Sequence, residues 1–99
     1  MIKHNVLFKL NEDLSAAQIT KLKTDFKNAI EALPNAIDVI QSIEVGFNEN
    51  PEESFDIALM CEVATMEDVA IYAKHPAHIK AASIIKDHVV YRACADYSA

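Results

Sequence analysis

The sequence of 99 residues is poor in several residue types, and each shortage excludes a class of protein. It has a single glycine, Gly46, whereas the phosphate-binding loops of P-loop and dinucleotide-binding proteins need several glycines for close backbone approach. Its two cysteines, Cys61 and Cys94, have neither the spacing of a metal-binding motif nor the density of a secreted disulfide scaffold. We therefore expect two buried free thiols, neither of which is a catalytic nucleophile.

Basic residues and long apolar runs are also scarce. Lysine and arginine together number nine against fifteen acids, giving a net charge of −6, and they are scattered along the chain. This pattern argues against a nucleic-acid partner, which needs clustered positive charge. No apolar run approaches the roughly 20 residues that span a bilayer, and the first residues lack the apolar segment of a secretory signal. We expect a single cytoplasmic domain over residues 1–99, with no cofactor and no membrane partner.

The apolar residues that are present alternate along several stretches, which indicates strands buried on one face. The first stretch places Ile2, His4, Val6, Phe8 and Leu10 on its core side. Residues 37–63 repeat the alternation around a polar turn at 48–54, which predicts a β-hairpin. Val89 to Ala95 is rich in β-branched and aromatic residues and predicts a last strand.

Helical patterns separate these strands. Ser15 and Gln18 have the spacing of a capping box, and an apolar stripe with three- and four-residue steps follows as far as Leu33. Thr65 is positioned to cap a second helix that ends near Lys74. Pro76 then favours the first position of a third helix, on which Ile79, Ala82 and Ile85 supply the apolar residues.

The predicted order of elements is strand, helix, two strands, a broken helix and a strand. This βαββαβ order is that of a ferredoxin-like α+β fold, a four-stranded antiparallel sheet with helices on one face. The other face has no helix to cover it. Because its predicted apolar residues include Leu7, Ile40, Ala58 and Met60, we expect it to pair with the sheet of a second copy.

Four polar side chains are candidates for chemistry: His4, Tyr72, His75 and His78. Histidine takes and returns protons near neutrality, since its unperturbed pKa is about 6.5. A tyrosine hydroxyl can donate a hydrogen bond to a developing enolate oxygen. Each residue also has a structural interpretation: a hydrogen-bonded core histidine for His4, a helix cap for His75 and a core residue with a polar tip for Tyr72.

A metal site is an alternative for the same residues. Nitrogen atoms of His4, His75 and His78 could bind zinc, but the sequence offers no evident fourth ligand, so we expect no metal. His88 precedes the last strand and is interpreted as a residue of an exposed turn.

The segments Ile2 to Lys9, Tyr72-x-x-His75-Pro76-Ala77-His78 and Ala95-Asp96-Tyr97 resemble those of the stress-responsive A/B barrel (Dabb) domain family. The resemblance covers essentially the whole chain. It implies a ferredoxin-like subunit that pairs through its sheet into a dimeric α+β barrel. The family includes a plant polyketide cyclase with a Tyr/His pocket, although that enzyme has a further pocket histidine where this chain has Ile57.

The resemblance implies a homodimer with a pocket for a small, largely apolar organic molecule, and cyclase- or isomerase-like proton transfer if it is an enzyme. We predict catalytic roles for His4, Tyr72 and His78, with His78 as the base. We expect the ligand to be lined by His75, Val6, Phe8 and Ile57. The alternatives are a non-catalytic stress-associated dimer with a structural histidine cluster and an oxygenase-like or metal-binding member of the wider barrel group.

Overall fold

The computed structural model describes residues 1–99 and contains four strands and three α-helices. In chain order these are β1 (Ile2–Leu10), α1 (Ala16–Glu31), β2 (Ser42–Phe47), β3 (Ile57–Val63), α2 (Met66–Lys74), α3 (Pro76–Lys86) and β4 (Val89–Ser98), and a 3₁₀ helix, Leu33–Asn35, follows α1. The strands form one antiparallel sheet in the order β2-β3-β1-β4. The predicted ferredoxin-like arrangement is confirmed. None of the helices combines the length and the apolar character needed to cross a membrane.

Strand β1 lies at the centre of the sheet, between β3 and β4, and its alternation follows the prediction. His4, Val6 and Leu10 are buried on the face that packs against the helices, whereas Leu7 on the opposite face is exposed. This strand therefore carries a histidine into an otherwise aliphatic part of the core.

The helix starts are fixed by side chains in the predicted way. Ser15 Oγ accepts from the amide of Gln18 at 3.1 Å, while the Gln18 side chain accepts from the amide of Ser15 at 2.8 Å, which completes the capping box. Thr65 Oγ1 accepts from the amide of Asp68 at 3.2 Å and caps α2. Pro76 is the first residue of α3, so the chain bends between α2 and α3 at His75.

The prediction that a strand begins at residue 37 is wrong, because β2 begins at Ser42. After the 3₁₀ helix the amide of Ile37 bonds to the carbonyl of Leu33, and the chain crosses the end of the core as a turn. Ile37 and Ile40 are both buried there, and their spacing in a loop resembles the alternation of a strand. Ile40 consequently belongs to the core and not to the uncovered sheet face.

Two burial predictions are also corrected. Ile79 is exposed on α3, and Ala81 takes the buried position on that helix together with Ile85. Cys61 is fully buried as expected, but Cys94 is exposed, because β4 lies at the sheet edge and nearly every residue of it is exposed.

The uncovered sheet face is shaped by a row of small residues around one large one. Gly46, Ala58, Leu7 and Ala93 are cross-strand neighbours on β2, β3, β1 and β4 in turn. Leu7 is 38% exposed, and a side chain added at Gly46 would meet no atom within 4 Å. The centre of this face is therefore a protruding leucine between shallow depressions.

Candidate functional site

His4 is held at the centre of the site by a carboxylate on the neighbouring strand. Asp96 lies directly opposite His4 in the pairing of β1 with β4, and its Oδ1 is 2.5 Å from His4 Nδ1. Because a carboxylate oxygen accepts, Nδ1–H is the donor, which fixes the orientation of the imidazole ring. The His4 residue is only 7% exposed, so this bond also satisfies a polar group inside the core.

Tyr72 packs between the other two candidate residues. Its ring centroid is 5.8 Å from that of His4 and 4.4 Å from that of His78. The side chain is buried, and its hydroxyl is the one buried side-chain polar atom without a hydrogen-bond partner. Burial raises the pKa of Tyr72 well above its usual value, with a smaller contribution from Cys61. The phenol is therefore a protonated donor with an unused hydrogen bond.

His78 is the third residue of α3 and is fixed by the preceding helix. Its Nδ1 is 3.0 Å from the carbonyl oxygen of Ala73, which can only accept, so Nδ1 carries the proton. Burial lowers the pKa of His78, the hydrogen bond to Ala73 opposes this effect, and electrostatic interactions with His4 and Arg92 add to the lowering. A neutral imidazole in this tautomer has its lone pair on Nε2, which is the arrangement of a general base.

His75 has a different position from the other three candidates. Its Nδ1 accepts from the amide of Ala77 at 3.0 Å, so the side chain is the cap of α3. His4, His75 and His78 do not form a cluster of the size that a single metal ion requires. The structure thus brings together His4, Tyr72 and His78, and it leaves His75 at the helix start.

An apolar cavity of about 280 Å³ lies beside His78, between the sheet and helices α1 and α3. Its lining residues are Phe8, Phe26, Ile30, Leu59, His78, Ala82, Ile85, Lys86, Val89 and Arg92. Of the four residues expected to line the ligand site, Phe8 lines this cavity and His75 does not, and of the three catalytic candidates His78 alone lines it. Val6 and Ile57 are buried in the core and are not among its lining residues, and neither are His4 and Tyr72.

Three residues of this region were not selected from the sequence: Asp96, Arg92 and Cys94. All three are at alternate positions of β4, opposite His4, Phe8 and Val6 respectively. The signal that could have found them is topological, because the ferredoxin-like order pairs the last strand antiparallel to the first. Even positions of both strands then share the face that carries His4.

One cluster has the composition of a partial metal site. Ligand atoms of His4, Cys94 and Asp96 lie within 4.8 Å of one another, and Cys94 Sγ is 3.6 Å from His4 Nδ1. Three such ligands are the number that a catalytic zinc site uses. However, the hydrogen bond between His4 and Asp96 already satisfies both groups. Partial desolvation of this mostly exposed thiol and the charge of Asp96 raise the pKa of Cys94, so it is not an activated nucleophile.

Comparisons with known proteins agree with this fold. The family model of the Stress Responsive A/B Barrel Domain matches residues 2–99. A comparison with curated proteins found no match.

Solved structures give the same result. A dimeric protein of unknown function with a ferredoxin-like fold from Bacteroides fragilis is 46% identical, with a TM-score of 0.96 over 99% of this chain and 95% of its own. A dimeric ferredoxin-like protein from Thermobifida fusca is 21% identical, with a TM-score of 0.80 over 99% and 90% of the two chains. The hydroxynitrile lyase of Passiflora edulis is 17% identical, with a TM-score of 0.73 over 97% and 90%. From the match to the family model over nearly its full length, the chain belongs to the stress-responsive A/B barrel domain family.

Proposed function

We propose that this protein is a homodimer that binds a small, largely apolar organic molecule beside His78 and transfers a proton to or from one of its carbon atoms. The observation that carries the proposal is the position of His78 in the wall of an apolar cavity, with its Nδ1 bonded to a carbonyl oxygen and its pKa lowered by burial. A cavity of about 280 Å³ is near the lower end of the size range of ligand sites. Apolar walls with a few convergent polar groups are typical of such sites.

The proposed step is proton abstraction next to a carbonyl group. His78 Nε2 takes the proton from carbon, and the electron pair of the broken C–H bond moves into an enolate, whose oxygen gains negative charge. The Tyr72 hydroxyl, which has no partner in the protein, is the proposed donor to that oxygen. Because Tyr72 does not line the cavity, the reacting end of the ligand has to pass His78 to reach this hydroxyl. His78 then returns the proton to the ligand, so the protein is unchanged at the end of the cycle.

The pair formed by His4 and Asp96 has a supporting role in this proposal. Neither residue lines the cavity, but the ring of His4 packs edge-on against Tyr72. Because Asp96 fixes the ring of His4, it also fixes the wall against which the phenol is held. We assign His4 and Asp96 as positioning residues for Tyr72.

Two observations support the dimer. The relative from Bacteroides fragilis, 46% identical over nearly the whole chain, is described as dimeric. The sheet face has an exposed Leu7 beside depressions at Gly46 and Ala58, so it is suited to an isologous contact in which the leucine of each copy enters the depression of the other.

A second candidate function, a non-catalytic dimer with a structural histidine cluster, is favoured by one set of contacts. His4, His75 and His78 each have a hydrogen-bond partner within the protein, at Asp96, Ala77 and Ala73. The hydroxynitrile lyase of Passiflora edulis is 17% identical and shares only the fold with this chain, so its reaction is no evidence for a reaction here.

Exchange of a carbon-bound proton separates the two candidates. We would follow deuterium incorporation into benzoylacetone by NMR in D₂O, with and without the protein. The proton-transfer function predicts acceleration over an equal concentration of free imidazole, and a loss of roughly a hundredfold in His78→Gln. His88→Gln, which changes a histidine in the turn before β4, is the matched control and should keep the full rate.

If the wild-type protein binds benzoylacetone but does not accelerate its deuterium exchange, the non-catalytic dimer is the function that remains. Equal rates in wild type and His78→Gln would remove His78 as the base.

A further inference from the structure

The polar residues that line the cavity all have basic side chains. They are His78, Lys86 and Arg92, and no acid is among the lining residues. This is unusual for the chain as a whole, in which acids outnumber lysine and arginine by fifteen to nine. A chain with a net charge of −6 thus has an apolar cavity whose only formal charges are positive.

Arg92 is the more informative of the two permanent cations. It is the only arginine of the sequence, and it lies on β4 directly opposite Phe8, which lines the same cavity. It takes part in none of the four ion pairs of the structure. A guanidinium group offers five donors in a planar fork that matches a carboxylate, so an arginine without an acidic partner beside a cavity is a prepared anion site.

Lys86 adds to this charge but has a structural role as well. It is the last residue of α3, where a cation is favourable because it faces the negative end of the helix dipole. It too has no ion-pair partner. Arg92 lies on a strand, so no helix dipole accounts for its position beside the cavity, and it is the stronger indication of an anion site.

From this arrangement we infer that the ligand is an apolar molecule with an anionic head group, a monocarboxylate on an aryl or alkyl body. The inference rests on the proposed function, because it takes the cavity beside His78 to be the ligand site. The carboxylate binds at the end formed by Arg92 and Lys86, and the body lies against Phe8, Phe26 and Ile30. Since a cavity of about 150 Å³ holds a benzene molecule, a volume of about 280 Å³ suits an aromatic ring with a short chain.

A matched set of three compounds tests the head group. Phenylbutyrate, phenylbutanol and phenylbutylamine share one apolar body and differ in charge, so we would compare their dissociation constants by calorimetry. We expect the acid to bind roughly three- to tenfold more tightly than the alcohol, and the amine to bind weakest, as exposed charged contacts are partly screened. The preference for the acid should shrink when salt is raised, while the affinity of the alcohol should not fall.

Variants then assign the preference to Arg92. Arg92→Gln should remove most of the difference between acid and alcohol without changing the affinity for the alcohol, and Arg92→Lys should keep part of it because it keeps the charge. Lys74→Gln is the matched control, since Lys74 is the exposed last residue of α2, outside the cavity, and should leave the preference intact.

The outcomes distinguish the head group from the site. Equal binding of acid and alcohol would overturn the anionic head group and leave an apolar ligand site. An acid preference that survives in Arg92→Gln would overturn Arg92 as the group that binds the carboxylate. Binding of none of the three compounds would overturn both the ligand site and the inference that depends on it.

Discussion

At the scale of single residues, the site combines satisfied and unsatisfied polar groups. His4 and His78 each have a fixed partner, whereas the Tyr72 hydroxyl has none. A buried polar atom without a partner costs about 1–3 kcal/mol, so the fold keeps this phenol at some expense to its stability. Such a cost is expected where a group serves a ligand and not the fold.

The Tyr72→Phe variant should therefore keep or gain stability. Removing the hydroxyl breaks no hydrogen bond within the protein, so we expect a free energy of unfolding between unchanged and about 1 kcal/mol higher. Equilibrium denaturation in urea at one fixed protein concentration measures it. Tyr72→Ala should instead lose about 3 kcal/mol or more through the cavity it creates. A substantial loss in Tyr72→Phe would mean that the hydroxyl has a partner in the protein.

The lowered pKa of His78 predicts how stability varies with pH. In the unfolded chain the imidazole binds a proton near its ordinary pKa of 6.5, whereas burial lowers this pKa in the folded protein, which binds the proton only at lower pH. Between these two pKa values the unfolded state holds more protons, so the free energy of unfolding falls as the pH decreases below 6.5. Comparison of denaturation curves at several pH values with those of His78→Gln should show a shallower decrease in the variant. An NMR titration of the His78 ring above 6.5 would contradict this.

The sequence predicted some of these residues and missed others for a physical reason. His4, Tyr72 and His78 are unusual in their local patterns, since a histidine on an apolar strand face stands out by itself. Arg92 and Asp96 are unremarkable within β4 and become significant only when that strand pairs with β1. Asp96 and His4 are separated by 92 positions, so their contact is a property of tertiary structure.

At the scale of elements, the caps and the short connections decide where each helix begins. The capping box at Ser15 and the cap at Thr65 could be predicted because they depend on residues three positions apart. The false strand over residues 37–41 arose because a loop that buries Ile37 and Ile40 has the same apolar spacing as a strand. The spacing of apolar residues shows which positions are buried, but a strand and a loop can share that spacing and differ only in their backbone hydrogen bonds.

Ser15→Ala tests the contribution of the cap to α1. The variant loses the hydroxyl that accepts from the amide of Gln18, and we expect it to lower the free energy of unfolding by about 1 kcal/mol. Thr20→Ala is the control, because Thr20 is exposed within the same helix and should change stability by a few tenths of a kcal/mol at most. Urea denaturation of both proteins measures the difference. Equal stabilities of the two variants would show that the cap contributes nothing measurable.

At the scale of the whole molecule, the two faces of the sheet have separate tasks in our proposals. The helix-covered face holds the core and the site, and the other face presents Leu7 among small residues. The order of elements and the bare face could be inferred from the sequence, because both follow from counting helices and strands. The positions of the protruding leucine and of the depressions on that face could not be inferred. They depend on the strand register that places Gly46 and Ala58 beside Leu7.

Gly46→Glu should separate the proposed dimer without unfolding the subunit. A side chain at this position meets nothing within 4 Å in the chain itself, so the fold tolerates it, but it fills the depression with a charge. Light scattering at tens of micromolar should give twice the chain mass of 11.0 kDa for the wild type and a single chain mass for the variant. Thr20→Glu, on an exposed position of α1, should remain dimeric, and unchanged circular dichroism would confirm that Gly46→Glu is folded. If Gly46→Glu remained dimeric, the dimer interface would have to lie on another surface.

The exposed edge strand has a kinetic consequence. β4 supplies Asp96 and Arg92, but it is held through its pairing with β1 alone and has few buried side chains. Local opening of β4 would withdraw the carboxylate from His4 and the guanidinium from the cavity at the same time. Amide protons of β4 should therefore exchange with solvent faster than those of β3, and a ligand held by Arg92 should slow that exchange. The same opening of β4 would therefore disassemble the site, so the fraction of protein with an intact site equals the fraction in which β4 is paired with β1.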